Sequence, residues 1–205
     1  MSDPLIRLRD GETAVIGYGS LLSAASLGRS LKREYDGPFF LCGLAGWRRS
    51  WDVAMPNAAF YFEEEGARVY PEKIIYLNVQ PDAAATVNCA VFVLAADELQ
   101  AMHGREWIYH PTNVVDALRG VRVEGGEAVV YVAREEYLVP HPADRREAAI
   151  RASYLRILDQ ALGSAGPEFA AEYGRSTDPV PRQLVIDDTL DPERPSPWEG
   201  HAYRP

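Results

Sequence analysis

The longest uninterrupted apolar run in this chain is about seven residues, at positions 90–96. A membrane-spanning helix needs roughly 20 apolar residues, so we expect no membrane span. Other segments rich in β-branched and aromatic residues, at 13–18, 39–62 and 73–79, are broken up or bounded by glycine, proline or polar residues. Short apolar pieces between turn residues predict buried strands. The sequence therefore predicts a strand-rich domain.

Turn residues and helix-end signals divide the chain into elements. Residues 39–62 predict two or three strands with tight turns, and residues 73–79 and 86–95 predict one strand each. Ser23 predicts the N-cap of a short helix that ends near Lys32. Further predictions are a helical turn or two at 97–102, a hairpin through Gly125-Gly126 between strands at 121–124 and 127–132, a helix at 143–162 ended by Gly163, and a shorter helix from Pro167.

The length of 205 residues fits one domain. We predict that residues 1–165 form this domain and that residues 166–205 form a C-terminal helix and a proline-rich tail packed on it. The last thirty residues contain six prolines and no lasting periodicity. Strands mixed with a few helices predict the α+β class, with the sheet closed or nearly closed into a barrel.

The net charge is −9, which disfavours partners that attract clustered cations. The basic doublets Arg48-Arg49 and Arg145-Arg146 are isolated, and we predict that both are solvated surface. We therefore expect neither a nucleic-acid nor a membrane partner. Residues 1–4 begin no apolar leader segment, so the expected location is the cytoplasm.

The two cysteines, Cys42 and Cys89, lie far apart in the sequence among apolar neighbours. A zinc or redox motif needs close spacing such as Cys-x-x-Cys, which this chain does not have. We predict two reduced core cysteines, with a disulfide as the alternative.

The segment Gly17-Tyr18-Gly19-Ser20-Leu21-Leu22 joins a predicted strand to a predicted helix. A dinucleotide-binding loop would have a third glycine at Leu22, and a serine-hydrolase elbow would have glycines at Tyr18 and Leu22. The residues present fit neither pattern. A loop at a helix N-terminus exposes backbone N–H groups that bind carboxylates or developing oxyanions. The alternatives are therefore an anion-binding loop and a plain strand-to-helix turn.

Glu106 is a candidate acid/base because its neighbours Trp107, Ile108 and Tyr109 are aromatic or apolar. Burial disfavours the charged form of a carboxyl group and raises its pKa, which prepares it for proton transfer near neutral pH. The alternative is a surface carboxylate that forms an ion pair with Arg105.

A metal site is a further alternative at the same segment. His103, Glu106 and His110 would share one face of a helix and form a two-His, one-carboxylate set. Gly104 weakens such a helix, and Pro111 disfavours helical geometry at His110. We therefore expect no metal.

Taken together, these segments resemble the γ-glutamylcyclotransferase-like family, in which a Tyr-Gly-Ser motif lies in an N-terminal strand-to-helix loop. The motif at 17–21 comes first, the strand at 86–94 leads into an acidic turn, Glu106 follows a few residues later, and a valine-rich segment precedes Tyr137. The resemblance covers roughly residues 13–155. Leu21 stands where many members have Asn, and Asn88 stands where the family often has Gly.

The resemblance implies a small mixed β-barrel with flanking helices and no cofactor. It implies an enzyme that releases the γ-glutamyl group of a small γ-glutamyl amine or peptide as 5-oxoproline. The alternative is a non-catalytic module of the same fold that binds a small ligand. The sequence does not decide whether the chain acts alone or as a homodimer. By position, the implied site residues are Glu106 as catalytic acid/base and, for substrate binding, Tyr18, Gly19, Ser20, Leu21 and Tyr137.

Overall fold

The computed structural model describes residues 3–139 and 142–195. Within these ranges the strands are β1 (Leu5–Arg7), β2 (Glu12–Gly17), β3 (Phe39–Pro56), β4 (Phe60–Glu64), β5 (Ala67–Val69), β6 (Lys73–Ala95), β7 (Tyr109–Asn113), β8 (Leu118–Arg119), β9 (Arg122–Glu124), β10 (Ala128–Ala133), β11 (Ala148–Arg151), β12 (Val185–Ile186) and β13 (Thr189–Leu190). The helices are α1 (Ala24–Leu31), α2 (Ala96–Arg105), α3 (Ala152–Ala165) and α4 (Pro167–Arg175), with 3₁₀ turns at Ser20–Leu22, Val115–Ala117, Glu135–Tyr137 and Arg182–Leu184.

Eight strands form one mixed sheet that curls into a half-barrel. Its order is β12–β11–β6–β2–β10–β7, and β3 pairs with both β6 and β8. The central strand β2 is antiparallel to β6 and parallel to β10. Two smaller sheets contain β1–β9 and β13–β4–β5. The prediction of an α+β fold with a small mixed barrel-type sheet and flanking helices is confirmed.

Strands β3 and β6 are the two longest, and β6 is continuous where the sequence predicted two strands. They pair along most of their length, with two register shifts, one at Gly46, whose φ is +82°, and one between Ser50 and Val53. The prediction of two or three strands in residues 39–62 is confirmed, because β3 and β4 are joined by a short connection at 57–59, whereas the division of 73–95 into two strands was wrong. Glycine at a bulge bends a strand without ending it, so Gly46 lies inside β3.

The predicted hairpin through Gly125-Gly126 was also wrong. β9 pairs with β1, whereas β10 pairs with β2 and β7. A Cβ atom on Gly125 would lie 2.8 Å from the backbone oxygen of Leu8, and one on Gly126 would lie 2.9 Å from the Leu8 side chain. The two glycines therefore permit close packing against the segment after β1, and the strands on either side separate.

Helix α3 starts later and ends later than the helix predicted at 143–162. Residues 148–151 form the buried strand β11 between β6 and β12, and the helix ends before Gly166. Short runs such as Ala-Ala-Ile fit strand and helix periodicity equally well, which explains the error. The helix capped by Ser23, whose Oγ accepts from the Ser26 N–H, and the helix from Pro167 are both confirmed.

The core contains two features that bear on the sequence predictions. Cys42 and Cys89 face each other across β3 and β6 as buried thiols with their sulfurs 3.4 Å apart, which confirms that both lie in the core. Arg49, expected on the surface, is fully buried. It donates to Thr177 Oγ1 at 2.5 Å and lies 3.8 Å from the Tyr173 ring, so it connects β3 to the end of α4.

Within the part of the chain that the structure describes, no helix is both long and apolar enough to span a bilayer. The last ten residues of the predicted proline-rich tail, 196–205, lie outside the described ranges. Strands β12 and β13, which precede them, pair with β11 and β4.

Candidate active site

The Gly17–Leu21 loop leaves the sheet at the end of β2 and turns tightly into the Ser20–Leu22 3₁₀ turn. A Cβ atom on Gly17 would lie 2.6 Å from the backbone oxygen of Leu21, so the turn leaves no room for a side chain there. The Leu22 N–H donates to the Gly19 oxygen at 3.0 Å. Among the described residues, we find no hydrogen-bond acceptor for the N–H groups of Gly19 and Ser20.

Tyr18 fixes this loop to the sheet. Its side chain is buried, and its hydroxyl donates to the backbone oxygen of Tyr131 on β10 at 2.6 Å. The Tyr173 hydroxyl donates to the backbone oxygen of Tyr18 at 3.4 Å, which adds a contact from α4. The phenol of Tyr18 therefore has a structural hydrogen bond of its own.

Glu106 is the residue that caps the C-terminus of α2. Its N–H donates to the Met102 oxygen at 2.9 Å, and its own oxygen accepts from the Tyr109 N–H at 2.8 Å. These bonds hold its backbone between α2 and β7. The Glu106 side chain is only 15% exposed, so the carboxylate is mostly buried.

Arg105 joins Glu106 to the loop. Its guanidinium forms an ion pair with the Glu106 carboxylate through Nη1, and Nη2 donates to Ser20 Oγ at 3.2 Å. The ion pair expected as the alternative to burial is thus present, but inside a largely buried site. Burial lowers the pKa of Arg105, and nearby tyrosines oppose this shift.

Both sequence motifs line one cavity of about 910 Å³. Its wall contains the predicted residues Tyr18, Gly19, Ser20, Leu21 and Glu106. Five tyrosines line it, which are Tyr18, Tyr76, Tyr109, Tyr131 and Tyr154, together with the cations Arg29, Lys32, Arg105 and Arg151. A volume of this size accommodates a small-molecule ligand.

The tyrosines supply neutral hydrogen-bonding groups. Burial raises the pKa of Tyr18, Tyr109 and Tyr154, so these phenols stay protonated near neutral pH. Tyr109 donates to the backbone oxygen of Leu77 at 2.9 Å. The Tyr154 hydroxyl lies beside Gly19 in the cavity wall, which makes it a candidate ligand contact.

Tyr137 does not line the cavity. It lies in the Glu135–Tyr137 turn, and its ring packs edge-on against Trp107 with centroids 5.1 Å apart. Trp107 in turn lines the cavity. In this arrangement Tyr137 supports the wall through Trp107, and its direct contact with substrate stays a prediction.

The three candidate metal ligands are not arranged as a set. Helix α2 ends at Arg105, so it does not extend to His110, which is exposed on β7. The His103 Nδ1 atom forms a hydrogen bond with the Tyr131 hydroxyl at 2.8 Å. Within residues 3–139 and 142–195, no three His, Cys, Asp or Glu side chains are grouped as metal ligands.

Sequence reasoning missed Arg151, Tyr154 and Tyr76, and treated Arg105 only as an ion-pair partner. Arg151 ends β11 and Tyr154 lies in the first turn of α3, so the junction between strand and helix brings both to the cavity. The sequence predicted one continuous helix over 143–162, which gave no sign of this junction.

No known protein-family model matches this sequence, and no curated protein matches it either. Several solved structures have a similar fold. A γ-glutamyl cyclotransferase is 12% identical, with a TM-score of 0.55 over 89% of this chain and 95% of that chain. An uncharacterized human protein is 13% identical, with a TM-score of 0.52 over 83% and 90% of the two chains.

YkqA from Bacillus subtilis is 14% identical, with a TM-score of 0.50 over 80% of this chain and 53% of that chain. At these identities the similarity concerns the fold. The chain has a γ-glutamyl cyclotransferase-like fold, as its motifs predicted.

Proposed function

We propose that this chain, which has the γ-glutamyl cyclotransferase-like fold, releases a γ-glutamyl group as 5-oxoproline from a γ-glutamyl amine or peptide. One observation carries the proposal: Glu106 and the Tyr18–Leu21 loop line the same cavity, and Arg105 contacts both. A proton-transfer group and a set of backbone donors thus lie on one ligand site.

The reaction needs no nucleophile from the protein. The free α-amine of the substrate attacks its own γ-carbonyl carbon, so a carbon–nitrogen bond forms and the bond to the departing nitrogen breaks. Two protons leave the attacking nitrogen and two reach the departing one, so water is not a reactant. The protein has to fold the glutamyl chain into attack geometry and move protons.

In this mechanism Glu106 accepts a proton from the attacking amine and delivers it to the departing amine. It has to accept a proton first, and its ion pair with Arg105 keeps a cation beside the carboxylate. The hydrogen bond from Arg105 to Ser20 holds the cation between carboxylate and loop. The N–H groups of Gly19 and Ser20 are then available to the carbonyl oxygen as negative charge develops on it.

The experiment that tests the proposal measures products in ¹⁸O-labelled water. Purified protein is incubated with a panel of γ-glutamyl amines, γ-glutamyl dipeptides and glutathione, and products are identified by mass spectrometry. We expect unlabelled 5-oxoproline and free amine in equal amounts from at least one substrate. Labelled glutamate would indicate hydrolysis, and binding without any product would indicate a non-catalytic ligand module. Either result would contradict the proposal.

A further inference from the structure

Arg151 is a buried cation in the wall of the cavity. It is the last residue of β11, immediately before α3, and only 8% of its surface is exposed. Its guanidinium lies 4.0 Å from the Phe60 ring, and it lies beside Tyr76, whose ring is 5.7 Å away. Both rings hold the guanidinium in place through cation–π contacts.

Part of the hydrogen-bonding capacity of Arg151 is unused. A guanidinium has five N–H donors, and Arg151 Nη1 donates to Ser153 Oγ at 3.3 Å. Nη1 also forms an ion pair with Asp188, at 3.7 Å from Oδ2, and the Tyr76 phenol interacts with the guanidinium. The two oxygens of Asp188 accept from the Ser153 N–H at 2.8 Å and from Ser153 Oγ at 2.6 Å. The Arg151 Nε atom is buried and has no partner among the described residues.

The cavity as a whole is cationic, although the chain has a net charge of −9. Arg29, Lys32, Arg105 and Arg151 line it, against the single carboxylate of Glu106. Arg105 is matched by Glu106. Arg29 and Lys32 are exposed and form no ion pair with any described residue. A cavity with excess positive charge raises the local concentration of anionic ligands.

We propose that Arg151 binds a carboxylate group of the substrate in this cavity. The planar guanidinium matches a carboxylate in shape and charge, and a buried cation with unused donors gains most from such a partner. Tyr154, three residues further along, adds a neutral hydroxyl donor beside Gly19. The identity of the ligand rests on the proposed function, because a γ-glutamyl substrate carries a carboxylate at its α-carbon and, in a peptide, another on the departing amino acid.

The first test compares three matched substrates with the native protein. These are γ-glutamyl-alanine, its derivative with a carboxamide in place of the alanine carboxylate, and its derivative with a carboxamide in place of the glutamyl α-carboxylate. We expect kcat/KM to fall roughly 10- to 100-fold for the derivative that lacks the carboxylate bound by Arg151. The derivative affected identifies the source of that carboxylate. Equal kcat/KM for all three substrates would overturn the proposal.

The second test uses Arg151→Met, which retains an unbranched apolar stem against Phe60, and Arg151→Lys, which retains the charge without the planar donors. We expect each variant to lose activity on γ-glutamyl-alanine and to discriminate less between it and the affected carboxamide. Arg156→Met is the matched control, because Arg156 is an exposed arginine on α3 outside the cavity. A variant that is folded and keeps the full native discrimination would contradict the assignment of Arg151.

A binding measurement separates this inference from the proposed reaction. Glutarate and 5-oxoproline are titrated into the native protein, Arg151→Met and Arg156→Met by calorimetry, with no turnover required. We expect Arg151→Met alone to bind at least one of them roughly 10- to 100-fold more weakly. If 5-oxoproline is never released but this difference in affinity is found, the proposed reaction is contradicted and the carboxylate site at Arg151 is supported. If the native protein binds neither compound, the carboxylate site fails.

Discussion

At the residue scale, Arg105 is the side chain that unites the two motifs found in the sequence. Glu106 and the loop residues Tyr18–Leu21 were both predicted as site residues, and both line the cavity. The sequence presented Arg105 as a reason for doubt, because an ion pair with Glu106 is typical of a surface. Arg105 contacts Ser20, which lies 85 positions earlier in the chain, and no local sequence pattern can predict such a contact.

Gly19 offers a test of how closely the loop packs against α3. In Gly19→Ala the new Cβ atom would lie 2.8 Å from the Tyr154 hydroxyl oxygen. The Tyr154 ring is held by edge contacts with Trp51 and Tyr76, so it is not free to move away. We expect Gly19→Ala to lower the free energy of unfolding by about 1–3 kcal/mol, as overpacking does. Urea denaturation measures this.

The control is the double variant Gly19→Ala/Tyr154→Phe, which lacks the hydroxyl oxygen. We expect it to be more stable than the sum of the two single changes predicts, because the clash is removed. Simple additivity would show that the loop and Tyr154 are not in contact in this way.

At the element scale, the sequence predicted well where a helix end has its own chemistry. The Ser23 cap and the start of α4 at Pro167 were correct because side-chain capping and proline are local signals. The errors, within β6, at Gly125 and at β11, arose where pairing or packing with a distant segment determines the structure. A glycine that permits a bulge or close approach looks the same in sequence as a glycine that ends a strand.

The contact between β13 and β4 leads to a prediction about how the stability of the fold depends on pH. Asp191 follows β13, and its carboxylate accepts a hydrogen bond of 2.5 Å from Tyr70, with Arg68 and Arg194 nearby. These contacts, the Tyr70 hydrogen bond first, lower the pKa of Asp191 below its ordinary value of 3.8. Because the pKa of Asp191 is lower in the folded state than in the unfolded state, its ionised form stabilises the fold at every pH above the unfolded-state pKa. That stabilisation is lost as the pH falls through the folded-state pKa.

We therefore expect Asp191→Asn to be less stable than the native protein at about pH 7. The difference should shrink as the pH falls below about 4, because the native carboxylate becomes protonated there. Urea denaturation of both proteins across this range provides the measurement. A stability difference that is the same at every pH would show that the charge of Asp191 is not involved.

At the scale of the whole molecule, the curled sheet and α2, α3 and the loop after β2 enclose one cavity that concentrates cations in an acidic chain. The fold class was predictable because the order of motifs along the chain is a global property that the sequence retains. The composition of the cavity was not, because its residues come from segments as far apart as Gly19 and Tyr154, and their meeting depends on sheet curvature. The structure therefore adds Arg105, Arg151 and Tyr154 to the residues on which function is proposed to depend.

The central claim is that the Glu106 carboxylate transfers the proton during cyclisation. The measurement that tests it most directly is the rate of 5-oxoproline release by Glu106→Gln, with Glu136→Gln as control because Glu136 is exposed outside the cavity. We predict that Glu106→Gln stays folded and loses at least roughly 10²–10⁴-fold in rate, as loss of a positioned acid/base entails, while Glu136→Gln keeps the native rate. A folded Glu106→Gln protein that releases 5-oxoproline at the native rate would contradict the mechanism.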